Sequence, residues 1–212
     1  MSWKAMAFSK PDLTAEEWEE RNRRAAEYEA AEMLRVQQRR IAESGVPMEY
    51  RNADLSQCVE EVQQYAADPG NLIIRGKVGR GKTYSAAAIV VEVSKRHLCC
   101  FVPASLLTTW ANPYNAQGAE KVSQCKGTAL LVIDDLGKET PDKHTVRVLW
   151  EVINHRLYNN KPTVITTQYV EGLAKRLSET GELENAKAII SRLSLYQTLD
   201  LTGNDRRRGG GQ

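Results

Sequence analysis

No apolar stretch in this sequence approaches the roughly 20 residues that a helix needs to cross a bilayer, although 42% of its 212 residues are hydrophobic. A helical membrane span is excluded, and no membrane partner is expected. The opening residues, Met1-Ser2-Trp3-Lys4, lack the apolar core and small-residue cleavage site of a secretory signal. The expected location is therefore the cytoplasm, where thiols stay reduced. Cysteine is scarce: Cys58, Cys99, Cys100 and Cys125 contain no C-x-x-C pair, which removes the usual zinc and redox patterns. Cys99 and Cys100 are adjacent and would face opposite sides of a strand, so buried thiols are the expectation. No charge sign dominates either. The 29 Lys and Arg residues are nearly balanced by 27 Asp and Glu, for a net charge of +2, and totals of this kind do not by themselves demand a polyanionic partner. No internal repeat is present. One α/β domain with an appended segment suits this length.

Glycine and proline are also absent from Thr14 to Glu43, a stretch rich in Glu and Arg. A single long helix is predicted there. Its start, Thr14-Ala15-Glu16-Glu17, has the form in which the Thr hydroxyl and the Glu carboxylate each satisfy a backbone N–H of the first turn. The apolar residues Trp18, Ala25, Tyr28, Met33, Val36 and Ile41 make only a thin stripe, too narrow to bury well. Two readings follow: a solvated helix laced with ion pairs four residues apart, or a docking arm for another protein. Ser44-Gly45-Val46-Pro47 joins a helix stop to a proline. It divides the chain into an N-terminal helical segment, 1–45, and a main domain, 46–212.

Beyond that point apolar runs alternate with amphipathic stretches, the pattern of successive βαβ units. Strands are predicted at Leu72 to Arg75, Leu98 to Val102, Ala129 to Ile133, Pro162 to Thr167 and Gln197 to Leu201. Helices are predicted at Thr83 to Arg96, Lys143 to Tyr158 and Ala186 to Leu193, with a short helical segment and an irregular Asn112-Pro113-Tyr114-Asn115 turn between Ala104 and Lys126.

The first of these strands runs into Gly76-Lys77-Val78-Gly79-Arg80-Gly81-Lys82-Thr83, a complete G-x-x-x-x-G-K-T phosphate loop followed by a helix. Glycines let the backbone wrap so that its N–H groups converge on phosphate oxygens. Lys82 supplies a compact charge to the β and γ phosphates, Thr83 a hydroxyl to Mg²⁺, and the helix its positive dipole end. Gly76, Val78, Gly79, Arg80, Gly81, Lys82, Thr83 and Tyr84 are the expected contacts to ATP. Leu130 to Asp135 then delivers two carboxylates at the carboxyl end of an apolar strand, where open α/β sheets bind their ligands. Asp134 is the expected Mg²⁺ carboxylate, and Asp135 is placed to orient the attacking water. Gln168, ending the Val164 to Thr167 run, would reach the same cleft and contact the γ-phosphate or the water.

Gly76 to Thr83, Leu130 to Gly137 (LLVIDDLG), Pro162 to Gln168 and Ala188 to Leu193 (AIISRL) together resemble the DnaC/IstB family of AAA+ ATPases. The two Walker elements alone mark only P-loop proteins; the order I-D-D-L-G, T-T-Q, I-S-R-L narrows them. Val46 to Ala53 also resembles the family's segment near the nucleotide base, which adds Asn52 to the binding set. The resemblance implies a three-layer αβα fold around a parallel five-stranded sheet in the order 5-1-4-3-2. It implies an arginine finger, Arg192, reaching a neighbouring subunit's site to stabilise charge on the γ-phosphoryl. It also implies a second arginine acting in cis, with Arg206 and Arg207 equally eligible. Asp135 and Gln168 stand where relatives often carry Glu and Asn. No Cys or His precedes Cys58, so the N-terminal zinc site of some loaders is not expected. Too few residues follow Leu201 for a C-terminal helical lid, which would leave a neighbouring protomer to enclose the nucleotide.

The same resemblance implies single-stranded DNA contact through the Ala104 to Lys126 insertion, with Trp110 and Tyr114 available to stack on bases and Lys121 and Lys126 to meet phosphate. Core packing is the competing role for Trp110. The functional expectation is an ATP-hydrolysing loader of a replicative hexameric helicase, assembled as a homo-oligomer through composite ATP sites. A transposition-accessory ATPase is the alternative. A small-molecule kinase fits poorly, since Arg192 and the T-T-Q strand end have no place in one.

Overall fold

The computed structural model describes residues 14–110, 112, 114–138, 143–169, 171–179 and 182–202. The chain divides into two compact units, Met1–Val36 and Gln37–Gln212, and the division falls inside the first helix, α1 (Ala15–Ser44).

In the first unit the cap forms as the sequence predicts. The Thr14 N–H donates to Glu17 Oε2 at 2.8 Å, and the Glu17 N–H donates to Thr14 Oγ1 at 3.3 Å. Arg24 pairs with Glu20 and Arg23 with Glu27 one turn apart. Every described residue of this unit is exposed, Tyr28 and Met33 both at 70%. Packing therefore contributes nothing to this part of α1, which rests on its cap, its ion pairs and strong helix formers.

The last two turns of α1 belong to the second unit. Gln37 Nε2 donates to the Val91 carbonyl at 3.1 Å, Arg40 Nη1 donates to the carbonyls of Ser94 and Lys95 at 3.3 and 3.0 Å, and Ile41 is buried. Two single 3₁₀ turns, Met48–Tyr50 and Leu55–Gln57, lead to α2 (Glu60–Ala67), β1 (Leu72–Arg75) and α3 (Lys82–Val93). Next come β2 (Cys99–Pro103), α4 (Ala104–Trp110), α5 (Ala116–Gly127) and β3 (Leu130–Asp134). The unit closes with α6 (Lys143–Tyr158), β4 (Thr163–Thr167), α7 (Leu173–Ser178), α8 (Leu183–Leu193) and β5 (Gln197–Asp200).

All strand pairings are parallel, in the order β2-β3-β4-β1-β5. This is the five-stranded arrangement that the resemblance implies. The period of two sorts side chains between the sheet's faces. Leu72, Ile74, Cys99, Leu130, Val132 and Val164 join the α2 and α3 layer, whereas Ile73, Cys100, Leu131, Ile133 and Ile165 join the α4 to α8 layer. Cys99 and Cys100 thus face opposite ways, and all four cysteines are buried. Burial on both faces explains why β1, β3 and β4 read as continuous apolar runs.

α4 and α5 fill the Ala104 to Lys126 stretch with two helices on either side of the Asn112 to Asn115 turn, where the sequence predicts one short helical segment and that turn. Gly118 lowers the propensity of α5, but an added Cβ there would sit 2.0 Å from the Trp110 carbonyl oxygen, so glycine lets α4 and α5 touch. Asn115 caps the helix by accepting the Gly118 N–H at 3.0 Å.

One side chain ties this layer to the sheet. Arg156, on α6, is fully buried and donates to the carbonyls of Cys125, Lys126, Thr128, Ala129 and Pro162 and to Thr163 Oγ1, over 2.6 to 3.4 Å. It gathers the end of α5 and the starts of β3 and β4. Burial pulls its pKa down to about 10. Replacing Arg156 with Met would strand several buried carbonyls, and we expect a loss of at least about 3 kcal/mol in urea unfolding.

Candidate functional site

β1 enters the phosphate loop and α3 leaves it. Gly81 occupies the helix cap position at φ 82°, a conformation that a Cβ would strain. Gly76 meets a different constraint, since a Cβ there would lie 2.7 Å from the Leu201 carbonyl oxygen. That contact is held by the Leu201 N–H, which donates to the Arg75 carbonyl at 2.8 Å, and by Arg75, which grips Asp200 with Nε and Nη2 at 2.8 and 2.7 Å. Lys82 is 6% exposed, and its ammonium donates to the carbonyls of Gly76 and Lys77 at 2.8 and 3.1 Å. The charge is thereby poised at the loop's centre beside the N-terminus of α3, a site built for a phosphate.

The two carboxylates follow from the strand ends. Thr166 Oγ1 donates to Asp134 Oδ1 at 2.5 Å and accepts the Asp135 N–H at 2.8 Å. The Asp134 carboxylate also accepts from Thr83 Oγ1 at 3.2 Å. One buried hydroxyl on β4 therefore orients the expected metal carboxylate and fixes the backbone of Asp135, which turns left-handed at φ 56°. The Leu136 N–H donates to the Thr166 carbonyl and Thr167 Oγ1 to the Leu136 carbonyl, at 2.9 and 2.8 Å, sealing the turn. Burial raises the Asp134 pKa above the ordinary carboxylate value, with Asp135 adding to the rise and Thr166, Thr83 and Lys82 opposing it.

These groups open onto a cavity of about 360 Å³. Val78, Gly79, Gly81, Lys82, Thr83, Asp135, Lys138 and Gln168 line it together with Tyr50, Gln57 and Tyr84. The tyrosines meet edge to face, their ring centres 6.2 Å apart, and the Tyr84 hydroxyl bonds the Asp54 N–H and Gln57 Oε1, both at 3.0 Å. An aromatic cluster beside a phosphate loop suits a nucleotide's base and phosphates together. The donor set also fits Mg²⁺: the Thr83 hydroxyl and Asp134 carboxylate are adjacent hard oxygens, and this ion is usually held by one or two carboxylates plus substrate phosphate and water.

The structure brings Lys82, Thr83, Asp134, Asp135 and Gln168 into one neighbourhood. Asn52 is exposed and does not line the cavity, and neither do Gly76 and Arg80. Arg192 lies elsewhere, against α6. Arg206 and Arg207 lie outside the described residues. In the insertion, Trp110 packs against the core, Lys126 pairs with Glu151 at 2.5 Å, and Tyr114 is 96% exposed. Sequence reasoning passed over Gln57, Lys138 and Thr166. Only Thr166 carried a signal, as the first hydroxyl of a pair at the end of an apolar strand.

Because its pKa is raised, an ionised Asp134 costs the fold stability at neutral pH, and that cost fades as the pH falls through the raised value. Asp134→Asn should therefore raise Tm at pH 7, with the two proteins converging in acid, while Mg²⁺-dependent ATP turnover is lost. Thermal melts across pH and phosphate release measure the two effects.

Among the described residues no helix is long and apolar enough to cross a membrane. The model of the family described as IstB-like ATP binding protein matches residues 4–208. The replicative helicase loader DnaC of Escherichia coli (strain K12) is 25% identical over 131 residues, 59% of this chain and 54% of that protein. The replicative helicase loader DnaI of Bacillus subtilis (strain 168) is 29% identical over 146 residues, 64% of this chain and 47% of that protein. The chain spans about half the length of the curated relatives it matches. Among solved structures, the crystal structure of DnaI aligns with a TM-score of 0.65 at 25% identity, covering 74% of this chain and 95% of that one. The replication initiator DnaA, at a TM-score of 0.61 and 16% identity over 76% of this chain and 52% of that one, shares the fold. The sheet order, the phosphate loop with its paired carboxylates, and a family match over nearly the whole sequence agree: the chain belongs to the IstB-like ATP binding family of AAA+ P-loop ATPases and is homologous to the DnaC and DnaI helicase loaders.

Proposed function

We propose that this protein is an ATP-hydrolysing loader of a replicative hexameric helicase, acting on single-stranded DNA as a homo-oligomer. The observation that carries the reading is the division of the catalytic set. Lys82, Thr83, Asp134, Asp135 and Gln168 share one neighbourhood, while Arg192 sits against Trp150 and Asn154, outside the cavity. A site supplied with base, metal carboxylate and phosphate cradle, but not with its arginine, is completed by a neighbouring copy. The homology to DnaC and DnaI supports loading as the purpose.

Each residue then has a physical task. Lys82 exchanges its loop carbonyls for β and γ phosphate oxygens, which keeps the buried ammonium satisfied. Asp135, its main chain fixed by Thr166, presents a carboxylate to orient the attacking water. Gln168 contacts that water or the γ-phosphate. Thr83 and Asp134 would hold Mg²⁺, which would supply neutralising charge to the phosphates. Arg192 of the adjoining copy meets charge that grows on the γ-phosphoryl. Leu201 approaches Gly76 at the loop's entrance, and Arg206 or Arg207, both of which follow it in the sequence, is the arginine proposed to act in cis.

A transposition-accessory ATPase is the second reading, favoured by the family's own description. Partner identity separates the two, through affinity purification of the tagged protein from its native cell. Recovery of a replicative helicase supports loading, and recovery of a transposase overturns it.

Purified protein tests these roles. Turnover should be weak alone and rise with single-stranded DNA. Lys82→Ala should abolish nucleotide binding, whereas Arg192→Ala should keep binding and lower turnover at least about 100-fold; normal hydrolysis by that variant would rule out a trans-acting arginine. A chain beginning at Gln37 keeps the anchored turns of α1 and should retain turnover yet lose the helicase in pull-down. Equal capture by both lengths would remove the first unit from the docking mechanism.

A further inference from the structure

Arg192 is held by its own chain in a particular way. Its Nε donates to Asn154 Oδ1 at 2.7 Å, its Nη1 donates to the Ala188 carbonyl at 3.0 Å, and the guanidinium lies over the Trp150 ring, 5.9 Å from the ring centre. All three partners are neutral. Among the described residues Arg192 forms no ion pair, although arginines elsewhere in the chain do so with Glu20, Glu27, Glu32, Glu43, Glu179 and Asp200. The side chain lines an open cavity of about 340 Å³ between α6 and α8, beside Tyr158 and Leu195, which are 87% and 70% exposed.

We propose that Asn154 is a positioning residue for the trans-acting Arg192. The inference rests on the composite-site reading above. An arginine free in solution loses rotamer entropy when it is immobilised. A seat that engages one edge and one face of the guanidinium removes much of that cost before two copies meet. A carboxylate at position 154 would seat it more firmly, but would also cancel the charge that the γ-phosphoryl has to see. A neutral amide orients the group and leaves its charge intact. Trp150 acts alike: an aromatic face attracts a cation without neutralising it. The exposed Tyr158 and Leu195 supply apolar rim for the second copy to cover.

The test compares Asn154→Ala, Asn154→Asp and Arg192→Ala in the full chain, by nucleotide affinity, by Tm and by ATP turnover with single-stranded DNA. Asn154→Asp is the informative variant, because a structural tether between α6 and α8 would be preserved or strengthened by an Asp–Arg pair. We expect both Asn154 variants to bind ATP normally and to lose turnover by about tenfold or more, with Tm of the Asp variant unchanged or higher. Mixing Asn154→Asp with Lys82→Ala should restore activity above the sum of the two, since the Lys82→Ala copy lends an intact arginine to a competent pocket. Normal turnover in Asn154→Asp, with Arg192→Ala inactive, would overturn the role of Asn154 and leave the composite site standing. Failure of the mixture to recover would also overturn it. Normal turnover in Arg192→Ala would instead overturn the composite site, and the inference with it.

Discussion

A single hydroxyl, Thr166 Oγ1, holds the candidate site in its working shape. It donates a hydrogen bond to Asp134 and accepts one from the N–H of Asp135, so two consecutive acidic residues are oriented from a neighbouring strand. Asp134 then accepts from Thr83 on α3. Elements β3, β4 and α3 thus converge on one buried carboxylate. A carboxylate in such a place is costly to ionise, and the hydroxyls and the Lys82 charge oppose that cost only in part. The residual penalty is what makes the position receptive to a divalent ion and a source of strain without one.

Much of this was legible in the sequence because the relevant signals are contiguous. The phosphate loop is eight consecutive residues, and Asp134 and Asp135 terminate an apolar run. The capping box of α1 spans four residues and forms as read. The sheet's three central strands announced themselves as unbroken apolar segments because both faces are buried. Strand order did not come from spacing; it came from resemblance.

What stayed hidden depends on contacts between distant residues or on weak local patterns. Thr166 meets Asp134 across 32 positions, and nothing in either neighbourhood marks the pair. Tyr50 and Gln57 sit in single 3₁₀ turns, too short for periodicity. That the Ala104 to Lys126 stretch holds two helices and not one was not legible, since the poor propensity of Gly118 in α5 is offset only by the close approach to α4 that it permits. Nothing in the sequence sets Arg156 apart from Arg147 on the same helix, yet Arg156 is wholly buried among carbonyls. The division of α1 at Val36 and Gln37 likewise has no sequence mark, because the helix itself is continuous.

α3 is bonded at both ends to parts of the protein with different duties. Its first turn is the phosphate loop's exit, with Lys82 and Thr83. Carbonyls at and just beyond its last turn accept from Gln37 and Arg40. Twelve residues of α-helix make a rod of about 18 Å with little axial give. The anchor of the N-terminal helix and the cradle for the phosphates are therefore two ends of one strut, and neither can shift along its axis without the other.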